Sequence, residues 1–241
     1  MATSSTSTGN ALMRVAGLAY LAVIGLGIAG EVVFRGAFID YRDAAATALA
    51  VSADTFTYRA GLVAEAVMLC ADVVVAALLY RLFRASTPAL ATVAAMLRLA
   101  MVAFSAVRLT LLGAPLLLLD PSALAPGSVE DLQVVSLVLL KLQAGAYVLA
   151  LIVFGFCCLV KGWMILASRQ APRMIGIGLL IAGVCYLVNS VGGLLTPAWA
   201  SSLFPFILLP CLVAEAALTL WLLFGRSTSG PSIDDQSPIA R

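Results

Sequence analysis

Residues 88–118 read PALATVAAMLRLAMVAFSAVRLTLLGAPLLL, and the fold follows from this stretch. It is apolar for longer than the about 20 residues a helix needs to cross a bilayer core of about 30 Å. Its only charged groups are Arg98 and Arg108, and it contains no acid to pair with either. A charge at the centre of a spanning helix costs about 2.5–3.5 kcal/mol on insertion scales. Such a helix is stable only where neighbouring helices supply counter-charges, so this one stretch already predicts a bundle with a polar interior.

Five further stretches have the same character: 12–34, 59–80, 130–160, 172–195 and 203–224. The chain has 241 residues, of which 63% are hydrophobic and 11% charged, with a mean hydropathy of +1.09. Lipid is the solvent for a chain of this composition, so its first partner is the bilayer. The expected fold is all-α: a polytopic membrane protein with six transmembrane helices in one bundle. That membrane domain spans 11–226, between polar tails at 1–10 and 227–241 expected to be disordered. Five spans follow the first, which favours a retained helix over a cleaved signal.

Arg14, Arg81, Arg84, Lys161, Arg169, Arg173, Arg226 and Arg241 fall at one end of these spans, and Arg35, Arg42 and Arg59 at the other. The positive-inside rule then places both termini in the cytoplasm. In the longest connection, Asp43 precedes an alanine-rich run and predicts an N-capped short helix at the interface.

Seven charged side chains lie within the spans: Glu31, Glu65, Asp72, Arg98, Arg108, Lys141 and Glu215. At about 1.5 Å of rise per residue, Asp72, Arg98 and Glu215 come to a common level near the midplane. Glu31, Glu65, Arg108 and Lys141 form a second layer nearer the outer face, joined by Gln143 and Asn189. Glu65 and Asp72 are two turns apart and share a face. The short loop through Arg84 and Ser86 makes the second and third spans neighbours, which predicts a buried Asp72–Arg98 ion pair. The inner layer then carries formal charge −1, and the outer layer sums to zero.

Much is excluded. A net charge of +2 gives no field for nucleic acid. The chain has no histidine, the usual metal ligand and general base. The five cysteines lie in apolar runs without a CxxC pair, so they read as buried thiols. No metal site, cofactor or catalytic residue is expected, and no hydrolase or nucleotide-binding template appears in a usable context. A purely structural reading of the paired charges stays open beside a functional one. The functional reading is a polar cavity that binds a small-molecule or lipid ligand from outside. Arg98 would be its anchor, Asp72 and Glu65 its counter-charges, and Lys141 and Arg108 its mouth. An intramembrane or lipid-modifying enzyme and a subunit of a membrane complex are the alternatives. The oligomeric state is not legible.

Several local features occur in one order along the chain: Ala16-Gly17-Leu18-Ala19-Tyr20, then Glu31 and Arg35-Gly36, then Asp43 to Ala48. Leu97-Arg98-Leu99, Pro172-Arg173 with Gly176, Ala182-Gly183 with Tyr186-Leu187, and Glu215 follow. In these features, from about Arg14 to Gly225, the chain resembles a family of bacterial integral membrane proteins, domain of unknown function 4386. The resemblance implies a six-helix bundle in a bacterial cytoplasmic membrane and no established activity.

Overall fold

Short connections between long apolar helices make neighbours in sequence neighbours in space, and the arrangement of this chain follows from that. The computed structural model describes residues 2–120 and 127–225. Six helices are long and apolar enough to cross a membrane, and no strand occurs among the described residues. They are carried by α1 (Ala2–Ala29), α3 (Thr55–Phe83), α4 (Pro88–Leu112), α5 (Val129–Ser168), α6 (Arg173–Leu195) and α8 (Leu209–Phe224). Short helices stand between them, among them α2 (Ala44–Ala53) and α7 (Pro197–Leu203). Each spanning helix packs on the next in the chain, and α8 closes back onto α1. The result is a ring of six, with an interior to which every helix can contribute.

Local chemistry sets the boundaries. Asp43 caps α2, its carboxylate accepting from the Ala46 N–H at 2.9 Å, as expected of that loop. Asp54 caps α3 in the same way through the Thr57 N–H at 3.0 Å. Ser128 and Asp131 form a capping box at the start of α5. Proline opens α4 at Pro88, where its missing N–H has no intrahelical partner to lose.

Three expectations change. The helix α1 begins at Ala2, so most of the 1–10 stretch expected as a disordered tail is helical; the 227–241 tail lies outside the described residues. The outer end of α1 does not stop at Phe34 but widens into a π-helical turn, Gly30–Arg35, followed by the single turn Gly36–Phe38. The helix α5 runs on past Val160 to Ser168 and ends at Arg169, which takes a left-handed φ of 55°. Lys161 therefore belongs to a helix interior and not to a loop.

The α5–α6 hairpin is the closest contact in the bundle. A methyl group on Gly162 would lie 2.7 Å from the Gly176 carbonyl, and one on Gly183 would lie 2.8 Å from that of Gly155. Two glycine pairs, seven residues apart on each helix, let the backbones touch. Gly25, which small-residue spacing would also nominate, has nothing near it.

Candidate functional site

Inside the ring the polar side chains gather in two layers. The inner layer lies toward the end of the bundle at which α1 begins and α8 ends, and each of the six spanning helices gives it one residue. Arg98 (α4) donates from Nε to Asp72 (α3) at 2.8 Å, and Nη2 reaches the same oxygen. Arg98 is 1% exposed and Asp72 3%, so the ion pair is sealed from lipid. Arg98 Nη1 donates to the Tyr20 hydroxyl (α1) at 3.2 Å, and Lys161 Nζ (α5) donates to the same hydroxyl at 3.1 Å. Tyr20 in turn donates to Glu215 (α8) at 3.3 Å, and Tyr186 (α6) donates to the other Glu215 oxygen at 2.7 Å. The Tyr20 oxygen is thus the hub at which two cations and one carboxylate meet.

Sequence reasoning brought Asp72 and Arg98 together and put Glu215 at their level. It missed Tyr20, Tyr186 and Lys161. With Lys161 present, the formal charge of this layer is zero and not −1. The signal for Lys161 was available: it lies 18 residues from Gln143, about five helical turns, and so shares its face. Lys141 lies two residues from Gln143, about 200° around the helix. It is exposed on the outside of α5 and takes no part in either layer. Its expected place at the mouth of a cavity is therefore corrected.

The outer layer is organised by Glu65 (α3), which is 2% exposed. One carboxylate oxygen takes Arg35 Nη1 and the other takes Arg108 Nη2 (α4). Arg35 also holds Glu31 one turn back, through Nε at 2.9 Å and through Nη2. Arg35, expected in a loop, is therefore the second cation of this layer in place of Lys141, and the layer stays neutral. The π-helical turn puts it there by rephasing the end of α1; such turns are rare and recur at functional sites. Gly30 makes the approach possible, because a methyl group there would lie 2.9 Å from the Glu65 carboxylate. The guanidinium carbons of Arg108 and Arg35 sit 4.9 and 5.8 Å from the centre of the Tyr147 ring. Gln143 donates to the Tyr41 hydroxyl at 2.7 Å. Tyr41 lies in the loop outside the spans, and its pKa is raised, first by burial and also by the Glu31 charge, against the lowering pull of Arg35.

This layer is not closed. Arg108 Nε and Nη1 and Gln143 Oε1 are buried without a hydrogen-bond partner among the described residues, as are the hydroxyls of Ser136 and Ser190. The Glu31 side chain is 50% exposed. Asn189, expected here, is half-buried and makes no hydrogen bond with other described residues. Leu69, Met101, Ala150 and Phe154 lie between the two layers in sequence, all buried, and separate them with apolar packing. A cavity of about 350 Å³ does open at the outer end, between α2 and the start of α5. It is lined by Ala48, Leu49, Leu119 and Val129 among others, and none of the expected charged residues borders it. No group of three or more potential metal ligands occurs among the described residues.

No curated protein and no solved structure matches the chain. A family model described as Domain of unknown function (DUF4386) matches residues 15–225, which takes in most of the first span, the other five spanning helices and both polar layers. The chain is thus an integral membrane protein for which no activity is indicated, and it belongs to the DUF4386 family.

Proposed function

We propose that this protein binds a small ligand carrying a carboxylate or phosphate-like group, from the outer face, at the Arg35–Glu65–Arg108 layer. The observation that carries the reading is Arg108. Two of its guanidinium nitrogens are buried and have no hydrogen-bond partner among the described residues, and leaving such donors unmet costs about 1–3 kcal/mol or more for a charged group. A site that retains that cost is built for an acceptor that arrives. The Tyr41 hydroxyl, which accepts from Gln143, keeps its own proton for the same acceptor. The layer is already neutral, so an anionic group must take the place of one carboxylate. Glu31 is the one that can leave, being half in solvent and tied only to Arg35.

The membrane is the cytoplasmic membrane of a bacterium, with both termini inside. Arg14, Arg81, Arg84, Arg169 and Arg173 support this orientation, and the bias persists after Lys161 and Arg35 move from loops to the interior. An even number of spans puts both termini on one side.

The test is a thermal-shift screen of the detergent-purified protein against small carboxylates and phosphate monoesters. At least one should raise the wild-type midpoint, lose its effect in Arg108→Met and bind more tightly to Glu31→Gln. A panel that shifts nothing, or shifts Arg108→Met equally, removes the reading.

A further inference from the structure

Lys161 is 2% exposed, and no carboxylate lies within ion-pair distance of it among the described residues. An ammonium has three N–H donors. One goes to the Tyr20 hydroxyl at 3.1 Å, and the Phe154 ring lies 4.7 Å from Nζ. Glu215, the nearest counter-charge in the network, is one hydroxyl away, beyond Tyr20. A buried cation left so far from an anion is costly unless something else meets it.

Beside it is a small cavity with about 10 Å³ available to the centre of a water-sized sphere. Arg98 and Lys161 both border it, and no carboxylate does. The remaining wall is apolar or aromatic: Ala76, Leu79 and Tyr80 from α3, Ala91 and Ala94 from α4, and Met164 from α5. These positions lie between Arg98 and the α3–α4 loop, so the cavity is approached from the end of the bundle that bears Arg81 and Arg84.

We infer that this cavity is a halide site, in which one chloride-sized anion sits against Lys161 Nζ and the Arg98 guanidinium. The chemistry restricts the occupant. Arg98 is paired with Asp72, but Lys161 has no carboxylate within ion-pair distance among the described residues, and that ammonium favours an anion beside it; a space this small suits a single atom better than a tetrahedral oxyanion. Asp72 occupies the Nε–Nη2 edge of Arg98, which leaves Nη1 and the ammonium as the binding donors. The site is separate from the proposed outer ligand site and does not rest on it.

The experiment compares purified wild-type protein in sodium gluconate with the same protein titrated with chloride or bromide at constant ionic strength. The thermal midpoint should rise saturably with halide, by about 2–4 °C near saturation. Arg108→Met should keep that rise and Lys161→Met should lose it, which also separates this site from the outer one. Should Lys161→Met fail to fold, crystals of the wild type grown in bromide decide the matter through an anomalous peak against Lys161 Nζ. A midpoint indifferent to halide, a rise that survives Lys161→Met, or a water-filled cavity without an anomalous peak overturns the assignment.

Discussion

The two polar layers both set cations against carboxylates and carry the same net charge, yet they differ in completeness. The inner layer draws one side chain from each spanning helix, and each of its buried oxygen and nitrogen atoms has at least one hydrogen-bond partner. The outer layer draws its ion pairs from α1, α3 and α4 only, retains unpartnered donors on Arg108, and lets Glu31 reach the surface. A network that ties six helices around one hydroxyl fixes their register, because shifting any helix by one turn breaks its bond to the rest. A network with spare donors and a half-exposed member can exchange a partner without moving a helix. Structural and functional readings of intramembrane charge compete at the level of sequence. Under the function proposed above, they apply to different depths.

The largest difference should appear on removing one arginine from each layer. Asp72 has Arg98 as its one ion-pair partner among the described residues, so Arg98→Ala strands a buried carboxylate and should cost about 3–5 kcal/mol. Glu65 keeps Arg35 when Arg108 is lost, so Arg108→Ala should cost only about 1–3 kcal/mol. Unfolding of the purified proteins in mixed micelles measures both, and equal losses would abolish the distinction between the layers.

Next comes Tyr20→Phe, which preserves the ring under Arg98 but deletes the hub oxygen. Two cationic donors and one Glu215 acceptor then lose their shared partner, at about 1–3 kcal/mol. Tyr41→Phe removes the corresponding hydroxyl of the outer layer, which serves a single donor, Gln143 Nε2, and should cost about 1 kcal/mol, less than Tyr20→Phe. A Tyr20→Phe protein as stable as wild type would mean that the hub is not what joins the helices.

How much of this was legible is clearest on α5. Apolar length and depth counting located the span, the inner level and the Asp72–Arg98 pair, because those depend only on the rise per residue. Which side of the helix a residue faces depends on phase, and depth counting discards phase. Lys141 and Gln143 were therefore grouped although they point in opposite directions, and Lys161 was assigned to a loop although it shares a face with Gln143. The Arg35 position was beyond sequence reasoning for a different reason. A π-helical turn has no compositional signature in Gly30–Arg35, and an α-helical extrapolation carries the wrong phase past it. Tyrosines were overlooked because they carry no formal charge, yet Tyr20 and Tyr186 complete the inner network.

A smaller effect tests the phase argument directly. Lys141→Gln removes a cation that touches neither layer, and its cost should stay within about 0.5 kcal/mol. The outer layer should keep any ligand response it has, since Arg35 and Arg108 supply its charge. A loss comparable to that of Arg108→Ala in the same micelle assay would return Lys141 to the interior.

The smallest effect concerns a carboxylate in water, set against the ones in the bundle. Asp54 is fully exposed at the outer start of α3, and the Thr57 hydrogen bonds hold its pKa below the ordinary value for aspartate. A folded-state pKa below the unfolded one means that its stabilising contribution is complete above the unfolded value. That contribution is lost as the pH falls through the folded value. Acidification below about pH 4 should therefore loosen the first turn of α3. Hydrogen exchange should show reduced protection at Thr57 and Tyr58, with the amides around Asp72 unchanged. Asp54→Asn keeps a capping oxygen but cannot titrate, so its first turn should be insensitive over the same range. If the amides near Asp72 lose protection together with those at Thr57, acid is reaching the inner pair, and the separation of a wet outer surface from a sealed inner network fails.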